Sequence, residues 1–187
     1  HGLFGMLDNW QTIGKKLAEE GFMAILIDQR DHGKSPHTSE FNYTLLAEDL
    51  FHFMEDNWIY KAHIIGHSMG GKTAMKFAFQ HAEMIEKMII ADVMNRQYKG
   101  GHESVIATID SLNVNEVENR DTIYEHLKSQ ELDEGTVQFL LKNLSRNKEG
   151  GYEWKMNFSL LKEKYQNILD PVAATNEVCN TETLFIK

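Results

Sequence analysis

Cysteine is almost absent: Cys179 stands alone among 187 residues, so an internal disulfide is excluded and nothing calls for an oxidising compartment. A reducing cytoplasm is the default setting for such a chain. Positive charge is scarce as well. Nineteen Lys and Arg against 28 Asp and Glu leave a net charge of −9 with no basic run, which argues against a nucleic-acid partner, because binding phosphates calls for a basic surface. Long apolar runs are missing. The longest, FMAILI from Phe22 to Ile27, is strand-sized and far short of the roughly 20 residues that span a bilayer. No group of His, Cys, Asp and Glu has metal-ligand spacing and no glycine-rich phosphate loop follows a strand, so neither a metal nor a nucleotide cofactor is implied. An initiator methionine and a targeting signal are also missing. The chain opens on His1-Gly2 and closes on TLFIK, which reads as the middle of a buried strand, so continuation past both ends is expected, with unpaired sheet edges in the segment alone.

What is present fits one folded domain: 42% of residues are apolar and 25% charged. Asp8 and Gln11 form a capping-box-like pair, Trp10, Ile13 and Leu17 share a helical face, and Gly21 ends that helix. The run from Phe22 to Asp28 is continuous and apolar, as expected of a parallel strand buried on both faces. Asp28 and Arg30 read as an ion pair fixing the loop QRDHGKSP. A helix over Tyr43–Asn57, a short strand around His63–Ile65, a helix from Met69 to Gln80 and the strand-like KMIIADV then alternate. This alternation predicts an α/β fold with a mostly parallel sheet and helices on both faces.

After Val93 the pattern changes to successive helices, with no clear strand until Thr181–Lys187. Val105, Ile106, Ile109 and Leu112 fit one helix, and Ile123, Tyr124 and Leu127 a second. Val137, Leu140, Leu141 and Leu144 fit a third, and Phe158, Leu161, Tyr165 and Ile168 a fourth. The expected organisation is a core over 1–93, a helical cap over 94–170, and a return to the core over 171–187.

Gly66-His67-Ser68-Met69-Gly70 matches G-x-S-x-G between an apolar strand and a helix. In that context the serine occupies a strained turn as a nucleophile, with glycines two residues to either side so that the backbone does not clash. The plainer alternative is a packing turn whose serine caps the helix. His1-Gly2-Leu3-Phe4-Gly5 is a second signal, because a tetrahedral oxyanion needs two backbone donors already aimed at it. The amide of Met69 serves as the first; that of Leu3 serves as the second, with Phe4 as the alternative.

HGLFG, DQRDHGKSP and GHSMGGKTAM in this order resemble the α/β-hydrolase superfamily, and within it the small esterases similar to bacterial YbfF and to abhydrolase domain-containing protein 11. The similarity reaches QFLLKNL at Gln138–Leu144, and the chain departs from the family pattern at Asp31, where Asn is usual. The resemblance implies Ser68 as nucleophile, Met69 and Leu3 as oxyanion donors, and a small-molecule ester or thioester substrate. It orders the triad Ser, acid, His, and so puts the catalytic histidine on the order of 60 residues past Lys187. Asp92, ending KMIIADV, is a candidate acid, since catalytic groups gather at the carboxyl ends of strands; other hydrolases of this fold place the acid after the following strand. Its plainer role is to cap the turn into the cap domain. His1, Gly2, His67, Met94, Tyr124 and Phe139 are candidates to line the pocket. The other histidines read as surface or structural residues.

The reading is a serine hydrolase working through a Ser68 acyl-enzyme. Lyase or C–C bond hydrolase chemistry on the same serine, a binding protein of the same fold, and a fragment lacking its base are the rivals. Haloalkane or epoxide chemistry is disfavoured because it needs an aspartate where Ser68 stands.

Overall fold

The computed structural model of the chain describes residues 1–173 and 177–187; residues 174–176, within the stretch expected to return to the core, lie outside the described residues. In chain order the elements are α1 (Gln11–Glu19), α2 (Tyr43–Asp56), β1 (Ala62–His67), α3 (Met69–Gln80) and β2 (Ile85–Ala91). There follow α4 (Glu103–Asp110), α5 (Arg120–Ser129), α6 (Glu134–Leu141), a short hairpin of β3 (Leu144–Arg146) and β4 (Tyr152–Trp154), then α7 (Phe158–Glu163), α8 (Tyr165–Leu169) and β5 (Thr183–Ile186).

Three strands form a parallel sheet in the order β1-β2-β5, with Gly66 opposite Ile90, His67 opposite Ala91, and Ala91 opposite Ile186. Parallel neighbours need a crossover, and α3 supplies the one between β1 and β2. Alternation along β2 sends the fully buried Ile90 against α3, while Ile89 and Ile65 of β1 face the side on which α1 lies. Each such side chain contributes about 2 kcal/mol when taken out of water. Helix α2 packs on α3, starting at Asn42, whose Oδ1 accepts the Leu45 N–H at 3.0 Å.

Several local expectations are corrected. The first helix opens as a 3₁₀ turn over Leu7–Trp10, and its entry is closed by Asn9 Oδ1 accepting the Met6 N–H at 2.8 Å, whereas Asp8 only accepts from the Gln11 side chain. Its exit is a Schellman pattern, with Phe22 N–H bonded to Leu17 O and Gly21 N–H to Ala18 O. The run Phe22–Asp28 forms no strand. Among the described residues no hydrogen bond involves the backbone of Met23 to Ile27; the run borders an open groove shared with α1, Ile65 and Ile89, and Met23 is 83% exposed. Apolarity favours burial, but a strand exists only through a paired neighbour. Asp28 does not pair with Arg30: its two oxygens accept the Leu7 and Lys34 amides at 2.7 and 2.9 Å, and Arg30 grips Asp49 with two bonds of 2.6 and 2.7 Å. In the block after β2, Leu144 belongs to the hairpin that breaks the helical pattern, and the fourth expected helix splits into α7 and α8 at Lys164.

Buried polar contacts tie this block to the core. Lys72 Nζ, on α3, donates to the carbonyls of Ile168, Leu169 and Asp170 at 3.0, 3.0 and 2.7 Å, which satisfies the end of α8, and it lies over the rings of Tyr43 and Tyr98. Burial pushes its pKa down to about 8 against the opposing charge of Asp170. Asp31, fully buried with φ of 63°, accepts from Thr38 N and Oγ1 and from Asn157 Nδ2 at 2.7 to 2.9 Å. A left-handed backbone suits Asp and Asn alike, so the exchange of one for the other is accommodated here. No helix among the described residues is long and apolar enough to cross a membrane.

Candidate active site

Ser68 sits between β1 and α3 with φ of 50° and ψ of −117°. A serine held there stores roughly 1–3 kcal/mol of backbone strain, so the surroundings must impose it. Two bonds do: Ser68 N–H donates to Ala91 O at 2.9 Å, across the register of β1 and β2, and Ser68 O accepts from Lys72 N at 3.1 Å as the first bond of α3. The side chain is half-buried, and its Oγ makes no hydrogen bond among the described residues. The amide of Met69, at the first position of α3, is likewise without an acceptor there, and the positive end of the helix dipole lies beside it.

The loop His1–Gly5 is docked on this turn. Gly70 N–H donates to His1 O at 3.0 Å, and a Cβ at Gly70 would come within 2.6 Å of that same oxygen, so only glycine allows the approach. A Cβ on Gly2 would lie 3.3 Å from Ser68 Cβ and 3.2 Å from His67 Nδ1, which puts the loop directly against Ser68. Gln29 locks it from behind: its backbone N–H donates to His1 Nε2 at 3.0 Å, its side-chain amide donates to His1 O at 2.9 Å, and its Oε1 accepts from Thr73 of α3 at 2.6 Å. Of the two amides considered for the second oxyanion donor, that of Phe4 donates to His32 Nε2 at 3.2 Å, whereas that of Leu3 has no acceptor among the described residues.

None of the nine histidines hydrogen-bonds Ser68. His1 and His32 are consumed by the loop, His37 faces Lys155 O, and His102 and His126 bond Tyr165 and Ser111. His67 is half-buried against Gly2, and burial lowers its pKa with the charge of Asp92 opposing. Burial pushes His32, entirely enclosed, down to about 4, so it is a neutral imidazole with Nδ1–H donating to Arg30 O at 2.9 Å and Nε2 free to accept.

Asp92 follows directly on the residue that accepts the Ser68 amide. Its own N–H donates to Ile186 O at 2.8 Å, its φ is 56°, and its carboxylate is exposed and unbonded among the described residues. Met94 is 60% exposed two residues on. Tyr124 on α5 turns its hydroxyl to Glu134 of α6, and the Phe139 carbonyl of α6 lies 3.5 Å from Asn143 Nδ2, with its half-buried ring packed against the core. The structure thus gathers Ser68, Met69, His67, His1, Gly2 and Leu3, sets Asp92 beside them, and joins Met94 and Tyr124 to them by no hydrogen bond. Gln29, His32 and Asn143 belong to the same assembly although no motif marked their part in it. DQRDHGKSP contains Gln29 and His32 and QFLLKNL contains Asn143, and those stretches were the available signals.

Residues 1–116 match the family described as the alpha/beta hydrolase fold. The chain is 32% identical to esterase YbfF of Escherichia coli over 90% of its length, and 32% identical to the sn-1-specific diacylglycerol lipase ABHD11 of Xenopus laevis over 91%. It spans 65% and 56% of those relatives. Among solved structures, a marine microorganism esterase superposes with a TM-score of 0.94 at 36% identity, covering 99% of this chain and 73% of that one.

Proposed function

The chain belongs to the α/β-hydrolase fold family, and from that premise we propose that it is the nucleophile-bearing part of a serine hydrolase cleaving carboxylic esters or thioesters of small to medium acyl chains. The observation that carries this reading is the strained, solvent-reachable Ser68 with an unbonded Oγ, flanked by the two unpaired amides of Met69 and Leu3. The esterase and lipase names of the relatives support ester chemistry.

In the proposed mechanism Ser68 Oγ attacks the acyl carbon, and the carbonyl oxygen, now an oxyanion, takes hydrogen bonds from the Met69 and Leu3 N–H groups. Such donors are already oriented before charge develops, which is why one of them is worth about 100- to 1,000-fold in rate. A histidine base takes the Ser68 proton and returns it to the leaving alkoxide or thiolate; water, deprotonated by the same base, then releases the acid. No histidine of these 187 residues bonds Ser68, so the proposal assigns that base to a part of the whole enzyme outside them. Asp92 is assigned as the acid that orients it, on the strength of a carboxylate standing free at the end of β2, next to the strand that carries the elbow. Tyr124, Phe139 and Met94 are assigned to the acyl pocket.

The test is a pre-steady-state experiment on the whole protein with p-nitrophenyl esters of increasing chain length. A burst of nitrophenolate with an acyl adduct mapped to Ser68 is expected, and Ser68→Ala should lose the burst and at least about 1,000-fold in rate. A Ser68→Ala variant that keeps the burst, or an adduct on another residue, contradicts the assignment.

A further inference from the structure

We propose that Asn143, from the hairpin side of the cap, is a positioning residue for the oxyanion loop: together with His32 it clamps the Phe4 peptide groups and so fixes the direction of the Leu3 N–H. The inference rests on the hydrolase reading above. Gly2 to Gly5 form a tight turn closed by Gly5 N–H donating to Gly2 O at 2.9 Å, with Phe4 third in the turn at φ of 58°. A turn of this pattern asks for glycine at its third residue, and a left-handed phenylalanine there is a costly exception. External contacts must therefore hold it.

Those contacts are specific. The Phe4 N–H donates to His32 Nε2 at 3.2 Å, and the Phe4 carbonyl accepts from Asn143 Nδ2 at 2.7 Å. Both partners are fully buried. Peptide planarity carries their effect along the loop. Gly2 O is held by Gly5 N–H and by His1 Nδ1, each at 2.9 Å, and the Leu3 N–H must point opposite that oxygen because the two share one trans peptide. Fixing Phe4 from both sides fixes the next two peptide planes, so three consecutive planes are pinned and the free amide among them is that of Leu3.

The orientation of Asn143 is determined by its neighbours. Its Nδ2 lies between two carbonyls, Phe4 O at 2.7 Å and Phe139 O at 3.5 Å, so turning the amide over would set oxygen against oxygen. Its Oδ1 is buried without any hydrogen-bond partner in the described structure.

The experiment compares the whole protein with Asn143→Leu and Asn143→Ala, neither of which can donate to Phe4 O. Thermal melting establishes folding; kcat and KM are measured on a p-nitrophenyl ester, and the ¹⁵N-edited amide signal of Leu3 is followed as a fluorophosphonate modifies Ser68. The proposal predicts kcat down by about 100-fold with KM within threefold in variants that still melt cooperatively, at a somewhat lower temperature because Phe4 O loses its donor, and loss of the downfield Leu3 shift that the parent shows on modification. A parent that reacts at Ser68 while both folded variants keep kcat within threefold overturns the inference alone. A parent with no reactive Ser68 overturns the hydrolase reading and this inference with it.

Discussion

Gly66→Ala is expected to abolish Ser68 reactivity and to destabilise the fold by at least about 3 kcal/mol. A Cβ at this position would press into the Gly70 carbonyl group, lying 2.6 Å from its carbon and 2.7 Å from Gly71 Cα. Every neighbour is backbone of the first turn of α3, so no rotamer change gives relief and the helix must move off the sheet. That movement breaks the two bonds holding Ser68, from its amide to Ala91 O and from Lys72 N to its carbonyl. It also withdraws Gly70 from His1 O, which docks the His1–Gly5 loop. Gly71→Ala is the informative control: its Cβ meets a side chain, Val93 Cγ1, at 2.6 Å, and the nearest backbone atom, Gly66 O, only at 3.2 Å, so a smaller loss is expected. Urea midpoints and serine labelling of the two variants check this, and equal behaviour of both would contradict the close-contact account of the elbow.

Between pH 6.5 and pH 4 the fold is expected to lose about 3 kcal/mol through His32 alone, at about 1.4 kcal/mol for each pH unit that separates the folded from the free pKa. The sign follows from proton binding. Burial holds the folded His32 at about 4, with the Arg30 carbonyl bond opposing, while the unfolded side chain takes its proton near 6.5. In that window the unfolded chain binds one more proton, so stability rises with pH through it and is fully present above 6.5. Protonation also destroys a contact, since an Nε2–H would face the Phe4 N–H that it now accepts from. His67 and His102, both lowered mainly by burial, act in the same direction. His32→Gln, which can accept from Phe4 and does not titrate, should flatten the stability profile by nearly one proton. Parent and variant profiles of equal slope over this range would show that His32 is not the buried neutral group described here.

The helical and strand periods of Tyr43–Asp56, Ala62–His67, Met69–Gln80 and Ile85–Ala91 were legible because each element carries its own pattern of apolar spacing and its own stop signals. Gly66–Gly70 was legible because the elbow is local: five consecutive residues contain its geometric demand. What escaped depends on partners far away in sequence. The run Phe22–Asp28 has the composition of a strand, yet pairing is a property of two segments. Arg30 passes over the nearby Asp28 to reach Asp49 on α2, a choice set by where the helix lies. The bond from Asn143 to Phe4 crosses 139 residues of chain, and nothing in either neighbourhood announces the other. The helical pattern around Leu144 failed at a hairpin of three-residue strands, too short for an alternating period to register.

The central claim is that Ser68 is a nucleophile set beside two waiting amides, and intact mass after a fluorophosphonate probe tests it most directly. On the whole protein the account predicts one phosphonyl adduct per chain, mapped to Ser68, absent in Ser68→Ala and slowed in Asn143→Leu. A folded protein that takes no adduct, or takes it equally in Ser68→Ala, would contradict it.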